Sequence, residues 1–272
     1  MINTLNESSL HKALKTFYAV QFSAQEEVKV GRWICDLETS DGGIVEIQNK
    51  NVGALKEKIQ GLLELKRRVT IVHPIITQKT IETRGQDGSL VSKRKSPKKE
   101  SLYSELKEFT SIAELLPNKN LTLLLPEITI VEKRVQCAEP VQAKNGRRRF
   151  KKAWQKTGKA LLTIGGSYKL SGKKDWLALL PSKALAGQKT REKKSDSSPK
   201  KGAAPSAIQE PFCAATVRDA FIAEQKKEAA PYANLLLWIL RKAGLIKRVP
   251  HEGRGYYYQL STMSSSSRFS MS

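Results

Sequence analysis

The chain has 272 residues, enough for two modest domains with separate cores, and 39% of the residues are hydrophobic. Forty-eight Lys and Arg against 26 Asp and Glu give a formal net charge of +22, which points to an anionic polymer or surface as partner. No apolar run reaches the roughly 18 residues of a membrane span, and the N-terminus lacks the basic-then-apolar pattern of a signal peptide. Three dispersed cysteines fit neither a disulfide framework nor a metal spacing, so the expectation is a soluble, cytoplasmic protein in a reducing compartment.

The charge is unevenly placed. Residues 1–76 hold ten Lys and Arg against nine Asp and Glu, so nearly all of the excess lies beyond them. Residues 4–19 read as an amphipathic helix with Leu10, Ala13, Leu14, Phe17 and Tyr18 on its apolar stripe. Glu7 falls on that stripe. It fits a capping box with Thr4, and it equally fits a carboxylate held inward for function. A strand is expected near residues 27–32.

The next stretch, residues 32–51, reads as two strands joined by a turn at Asp41-Gly42-Gly43. Apolar residues occupy the odd positions (Trp33, Cys35, Leu37, Val45, Ile47) and polar ones the even positions (Asp36, Glu38, Glu46, Gln48, Lys50). Side chains alternate faces along a strand. A three-residue loop sets Asp36 opposite Gln48 and Glu38 opposite Glu46, with all the polar side chains on one face. Converging carboxylates beside an amide and an amine suit a divalent metal that activates water for phosphodiester cleavage. They also suit a solvated face of cross-strand charge pairs.

A second helix over residues 53–67 buries Leu55, Ile59, Leu62 and Leu63. The β-branched run Val69–Val72, ended by His73-Pro74, then reads as a buried parallel strand. This order, with Asp36 in the second strand and Glu46-x-Gln48 in the third, resembles the core of the PD-(D/E)XK, or restriction-endonuclease-like, nuclease superfamily. The resemblance covers roughly residues 1–76. It implies an α/β fold with a mixed-sheet core ordered α-β-β-β-α-β, and Mg²⁺ (or Mn²⁺) held by Asp36 and Glu46. It places Gln48 where a Lys usually orients the attacking water, with Lys50 on the same face as a substitute. Glu7 matches a helix Glu found in several branches. The departure at Gln48 leaves open an inactive, binding-only relative.

Beyond residue 76 the pattern suggests a hairpin turning at Gln86-Asp87-Gly88, a basic loop from Lys93 to Lys99, a helix near 100–116 and a strand near 121–132. This completes a nuclease-like domain over 1–135, followed by a basic connecting segment over 136–170. Within it, residues 144–159 read as a helix. Phe150, Trp154 and Leu161 form its docking stripe, and Arg147, Arg148, Arg149, Lys151, Lys152 and Lys156 track a phosphate backbone.

A short helix near 173–180 precedes a Lys-, Ser- and Pro-rich linker over 187–210. Two further helices, near 212–221 and over 231–243, lead into a hairpin of residues 245–249 and 256–260. This arrangement resembles a winged helix-turn-helix domain, a small α+β unit made of 171–186 and 211–260. The resemblance makes 231–243 the recognition helix and puts Lys247, Arg248 and Arg254 on the wing. The tail from 261 to 272 is expected to be disordered.

His11, His73 and His251 have no metal-ligand spacing and are read as structural or solvent-exposed. The leading expectation is a metal-dependent endonuclease acting on double-stranded DNA, with a homodimer left open. The alternatives are a non-catalytic DNA-binding protein on the same fold and a partner-binding scaffold.

Overall fold

A computed structural model describes residues 8–142, 149–182, 211–252 and 255–261. The chain divides into two compact units, Met1–Gly172 and Lys173–Ser272. Glu7, Arg147, Arg148, Arg254, the 187–210 linker and residues 262–272 of the tail lie outside the described residues.

The first unit opens with α1 (Ser9–Gln21). Its N-cap is Ser8, whose side chain accepts from the His11 N–H, so the helix starts later than the Thr4 capping box requires. Leu10, Leu14 and Tyr18 are buried, whereas Phe17, expected on the same stripe, is 42% exposed. The strands β1 (Gln25–Val30), β2 (Trp33–Glu38) and β3 (Ile44–Ile47) form an antiparallel meander. A 3₁₀ turn (Val52–Leu55) leads into α2 (Lys56–Glu64), and β4 (Val69–Val72) follows, parallel to β3.

The pairing of β2 with β3 departs from the expected register by two residues. Leu37 faces Val45 and Glu38 faces Ile44, so the connection is Thr39–Gly43 rather than 41–43. Thr39 closes it: its N–H donates to Gly43 O, its O accepts from Gly42 N–H, and its hydroxyl accepts from Gly43 N–H at 2.9 Å. Gly42 takes φ +75°, and a Cβ on Gly43 would fall 2.8 Å from Thr39 Oγ1. Because the slip is even, no side chain changes face. Cys35, Leu37, Val45 and Ile47 are buried as the alternation requires.

Two more strands, β5 (Ile75–Arg84) and β6 (Leu90–Lys95), form the hairpin expected around Gln86–Gly88. Lys93–Lys95 therefore belong to a strand rather than a loop. A short α3 (Leu102–Glu105) continues as a 3₁₀ helix (Leu106–Leu115) into β7 (Leu121–Val141), which pairs with β8 (Lys152–Ser171). The expected helix over 144–159 is thus a strand from Lys152 onward. Pairing along most of a 21-residue neighbour outweighs a local stripe that strand and helix both accommodate.

The sheet runs β1-β2-β3-β4-β7-β5-β6, with β8 also on β7. Val69 faces Leu121 and Ile75 faces Glu127, the same offset, so β4 and β5 lie along β7 as one line broken at His73-Pro74. The β4–β7 and β5–β7 pairings are both parallel. The protein is therefore a mixed α/β fold with a sheet of parallel and antiparallel strands. One face is sealed by α1, whose Leu10, Leu14 and Tyr18 join Leu37, Val45, Ile47, Val72, Ile76, Ile128 and Ile130 in one cluster.

The helix α4 (Gly172–Leu177) begins at the last residue of the first unit, and the second unit goes on with β9 (Phe212–Cys213), α5 (Ala214–Ala223), α6 (Ala233–Lys242), β10 (Ile246–Val249) and β11 (Tyr257–Leu260). Its small antiparallel sheet has the order β10-β11-β9. Phe212–Cys213, read from sequence as the start of a helix, is the third strand of that sheet. Its backbone is extended to pair with Tyr257 and Tyr258.

Leu14 is fully buried at the centre of the α1 contact. Leu14→Ala is expected to lower stability by about 2–5 kcal/mol, read in urea melts as a lower midpoint with an unchanged slope.

Candidate active site

The β2–β3 ladder ends at Leu37 and Val45, and two carboxylates take over where the strands part. Ile47 N–H donates to Asp36 Oδ2 at 2.8 Å, and Asp36 N–H donates to Glu46 Oε1 at 3.3 Å. Each acid therefore satisfies a backbone donor at or beside the other, and the pair foreseen from the alternation is brought together.

Their surroundings differ. Glu46 is 2% exposed. Lys58 Nζ from α2 lies 2.6 Å from Glu46 Oε1 and also donates to Ile34 O at 2.6 Å. Burial, and then the adjacent Asp36 charge, pushes the Glu46 carboxyl up to about 7 against the pull of Lys58. Asp36 goes the other way. Burial raises it, but the His11 ring and the Ile47 N–H outweigh that and hold it below the usual carboxylate range. His11 Nε2 stands 3.7 Å from Asp36 Oδ2, so the histidine set aside from sequence belongs to this site.

Gln48 and Lys50 are nearby but occupied differently than expected. Gln48 Nε2 donates to Lys50 O at 2.6 Å and to Asn51 O at 3.2 Å, which folds the amide into its own turn. The Gln48 carbonyl lies 2.6 Å from Nδ1 of the fully buried His73. Lys50 is exposed. The cation beside the carboxylates is Lys58.

An open cleft of about 840 Å³ is lined by His11, Asp36, Gln48, Lys50, Lys156 and Lys159, among others. The last two come from β8, whose place depends on Ser9. The Ser9 hydroxyl donates to Lys159 O at 2.8 Å and accepts from Lys159 N–H at 3.3 Å, which staples the start of α1 to the strand. Burial, with the Lys50 and Lys156 charges, pulls the Lys159 ammonium below the usual lysine range. Lys156 is held by Glu132 at 2.7 Å, and Arg134 joins the same carboxylate at 2.6 Å. Glu132 is buried, yet these cations bring its carboxyl down to about 2. Arg149, Lys151 and Lys152 are exposed before and at the start of β8.

One further pair lines the cleft. Glu27 stands between the β1–β2 partners Glu26↔Leu37 and Val28↔Cys35, hence against Asp36, with φ +57°. Its carboxylate pairs with the buried Lys15 of α1 at 3.1 Å. Lys58 and Lys15 could have been flagged from sequence, because each falls at helical spacing from the apolar residues of its helix.

Among the described residues no group of three His, Cys, Asp or Glu side chains could enclose a metal ion. Mg²⁺ does not need such a cage. It takes one or two carboxylates and retains several waters. Asp36 and Glu46 supply two carboxylates whose mutual repulsion a cation would relieve, so the donor set fits.

The family described as a domain of unknown function, DUF8091, matches residues 8–171. The chain belongs to this family. The matched span runs from the cap of α1 to the last residue of β8, so the family domain is the first unit and carries the whole cleft. An uncharacterized protein of Treponema pallidum (strain Nichols) is 35% identical over 151 residues, 56% of this chain and 57% of that protein's own length. No solved structure matches.

The buried acid generates a pH dependence. Between about pH 4.5 and 7 the folded chain keeps the Glu46 proton and the unfolded chain does not, so this group's contribution falls as pH rises through that window. Relative to Glu46→Gln, the wild type is expected to lose up to ~3 kcal/mol from the bottom to the top of the window. The measurement is a series of denaturant melts of both proteins. A pH-independent difference would contradict the assignment.

Proposed function

We propose that this chain is a metal-dependent nuclease that cleaves phosphodiester bonds in double-stranded DNA, with Asp36 and Glu46 as the carboxylates for Mg²⁺ or Mn²⁺. The observation that carries the reading is the pairing of these acids at the β2–β3 divergence, beside Lys58 and at the edge of a lysine-lined cleft. A bound divalent ion would supply Lewis acidity and a more acidic water.

The protein's own groups do the rest. Lys50, Lys156 and Lys159 receive backbone phosphates, and Glu132 keeps Lys156 in place. Lys58 provides a fixed positive charge at Glu46, the kind of group absent at position 48. Further support comes from topology. The order α1-β1-β2-β3-α2-β4, with β2 antiparallel to its neighbours and β3, β4 and β7 mutually parallel, agrees with the restriction-endonuclease-like resemblance.

The second unit is read as a winged helix-turn-helix module that adds affinity for DNA. In its favour are the element order and the three-stranded sheet closing on β9, with α6 in the recognition position. Lys247 and Arg248 are exposed on β10, and Arg248 lies over the Tyr256 ring at 3.5 Å. A second reading, a DNA-binding protein without catalysis, is favoured by the confinement of Gln48 to its turn and by the burial of Glu46.

Supercoiled plasmid incubated with Mg²⁺ or Mn²⁺ separates the two. The wild type is expected to nick or linearise it, and Asp36→Ala is expected to abolish cutting while binding persists, because affinity comes from the lysines. Replacing Lys50, Lys156 and Lys159 by Gln should flatten the salt dependence of binding, each lost phosphate contact removing roughly 0.9 from the log–log slope. A wild type that binds DNA but cuts nothing with either metal would leave the non-catalytic reading standing.

A further inference from the structure

A second cavity, of about 690 Å³, lies at the opposite end of α1 from the carboxylate cleft. It opens where β3, β4 and β7 begin, in register at Ile44, Val69 and Leu121. Nothing in the proposed cleavage uses it, yet its lining is not that of an incidental hollow.

Tyr18 is 3% exposed, and its hydroxyl makes no hydrogen bond among the described residues although it lines the cavity. The hydroxyl is not walled off, so it reaches the cavity, where a ligand acceptor can take its proton in place of water. Burial pushes this hydroxyl up to about 12, so it stays a donor across the physiological range. The buried Tyr18 ring backs the half-buried Phe22, centroids 5.4 Å apart, so most of the aromatic surface open to the cavity belongs to Phe22. Across the rim stand Arg68, Lys119 and Lys169. Asp41, the only acidic side chain of the lining, is taken by Arg68 at 2.5 Å. Lys119 and Lys169 make no ion pair among the described residues.

An aromatic surface at Phe22, a hydroxyl donor beside it and two ammonium groups suit three things in one molecule: a flat apolar ring, an acceptor near it and a phosphate. The volume is in the range of small-molecule sites. We infer that this cavity binds a nucleotide, its base against Phe22 with the Tyr18 hydroxyl as donor, and its phosphate at Lys119 and Lys169. The inference is independent of the cleavage reading, since it involves no residue of the carboxylate cleft. The same chemistry is offered by a free nucleotide and by the terminal nucleotide of a strand.

Titration calorimetry on the full chain, with AMP, inorganic phosphate and a short phosphorylated oligothymidylate as probes, tests it. AMP is expected to bind more tightly than phosphate, because Phe22 adds ring contacts. Tyr18→Phe removes only the hydroxyl and should weaken AMP roughly fivefold, as for the loss of one neutral hydrogen bond. Lys119→Gln with Lys169→Gln should weaken AMP by about tenfold or more, since two charge-assisted contacts go, and should weaken phosphate alongside it.

If the oligothymidylate competes with AMP and responds to the same variants, the occupant is a strand end. If it does not compete, the occupant is a free nucleotide. Absence of AMP binding in the wild type would overturn the inference. So would AMP binding that ignores these variants and is lost in Lys50→Gln with Lys159→Gln. Far-ultraviolet circular dichroism and a urea-melt midpoint of each variant close to the wild type show that the fold is intact.

Discussion

A carboxylate that gives up water must be answered within hydrogen-bond reach, and Glu46 sets this requirement for the whole first unit. It stands where β2 and β3 part, with Lys58 on one side and the Asp36 N–H on the other. The splay of the strands makes room for it. The position of α2 is tied to it through Lys58, which also holds Ile34 O. Asp36 completes the gap by taking the Ile47 N–H and, through His11, connects it to α1. Removing one member of such a pair typically costs several kcal/mol, because the partner is left charged and dry. The site and the local fold are thus the same set of contacts.

This explains what could be read from the chain and what could not. Alternation alone fixed which residues of β2 and β3 face the core, because a period of two survives any even slip. The slip itself came from Thr39, whose backbone and hydroxyl lengthen the turn in a way that the two glycines do not announce. The acids of the site were legible because they interrupt a clear pattern. The stripe of α2 could flag Lys58 as turned inward, but not its partner, because Lys58 comes from the next helix and His11 from the preceding one, and neither distance is a sequence spacing. The least legible segment was β8. Trp154 fits a helical stripe as well as a strand, and only the full length of β7, with Arg134 lying 3.6 Å over the Trp154 ring, decides between them.

Charge is arranged on the same principle. The core of the first 76 residues is nearly neutral, and the cations that face it across the cleft arrive on β8, far along the chain. Glu132 makes that delivery specific. One buried carboxylate gathers Lys79, Arg134 and Lys156 from three neighbouring strands and leaves a positive surplus aimed at the cleft. A strand pairing therefore sets an electrostatic field, and a substitution at Glu132 would act on the cleft without touching anything bound there.

Among the described residues the sheet ends at β1, β6 and β8, and each of these edges is blunted by a different device. On β6 the Lys93-Arg94-Lys95 run is fully exposed, so an approaching strand of the same kind meets its own charge. On β1 the left-handed backbone of Glu27 breaks the extended line in mid-strand. On β8 both backbone groups of Lys159 are already taken by Ser9. Each device disfavours the addition of a further strand at the point where it stands.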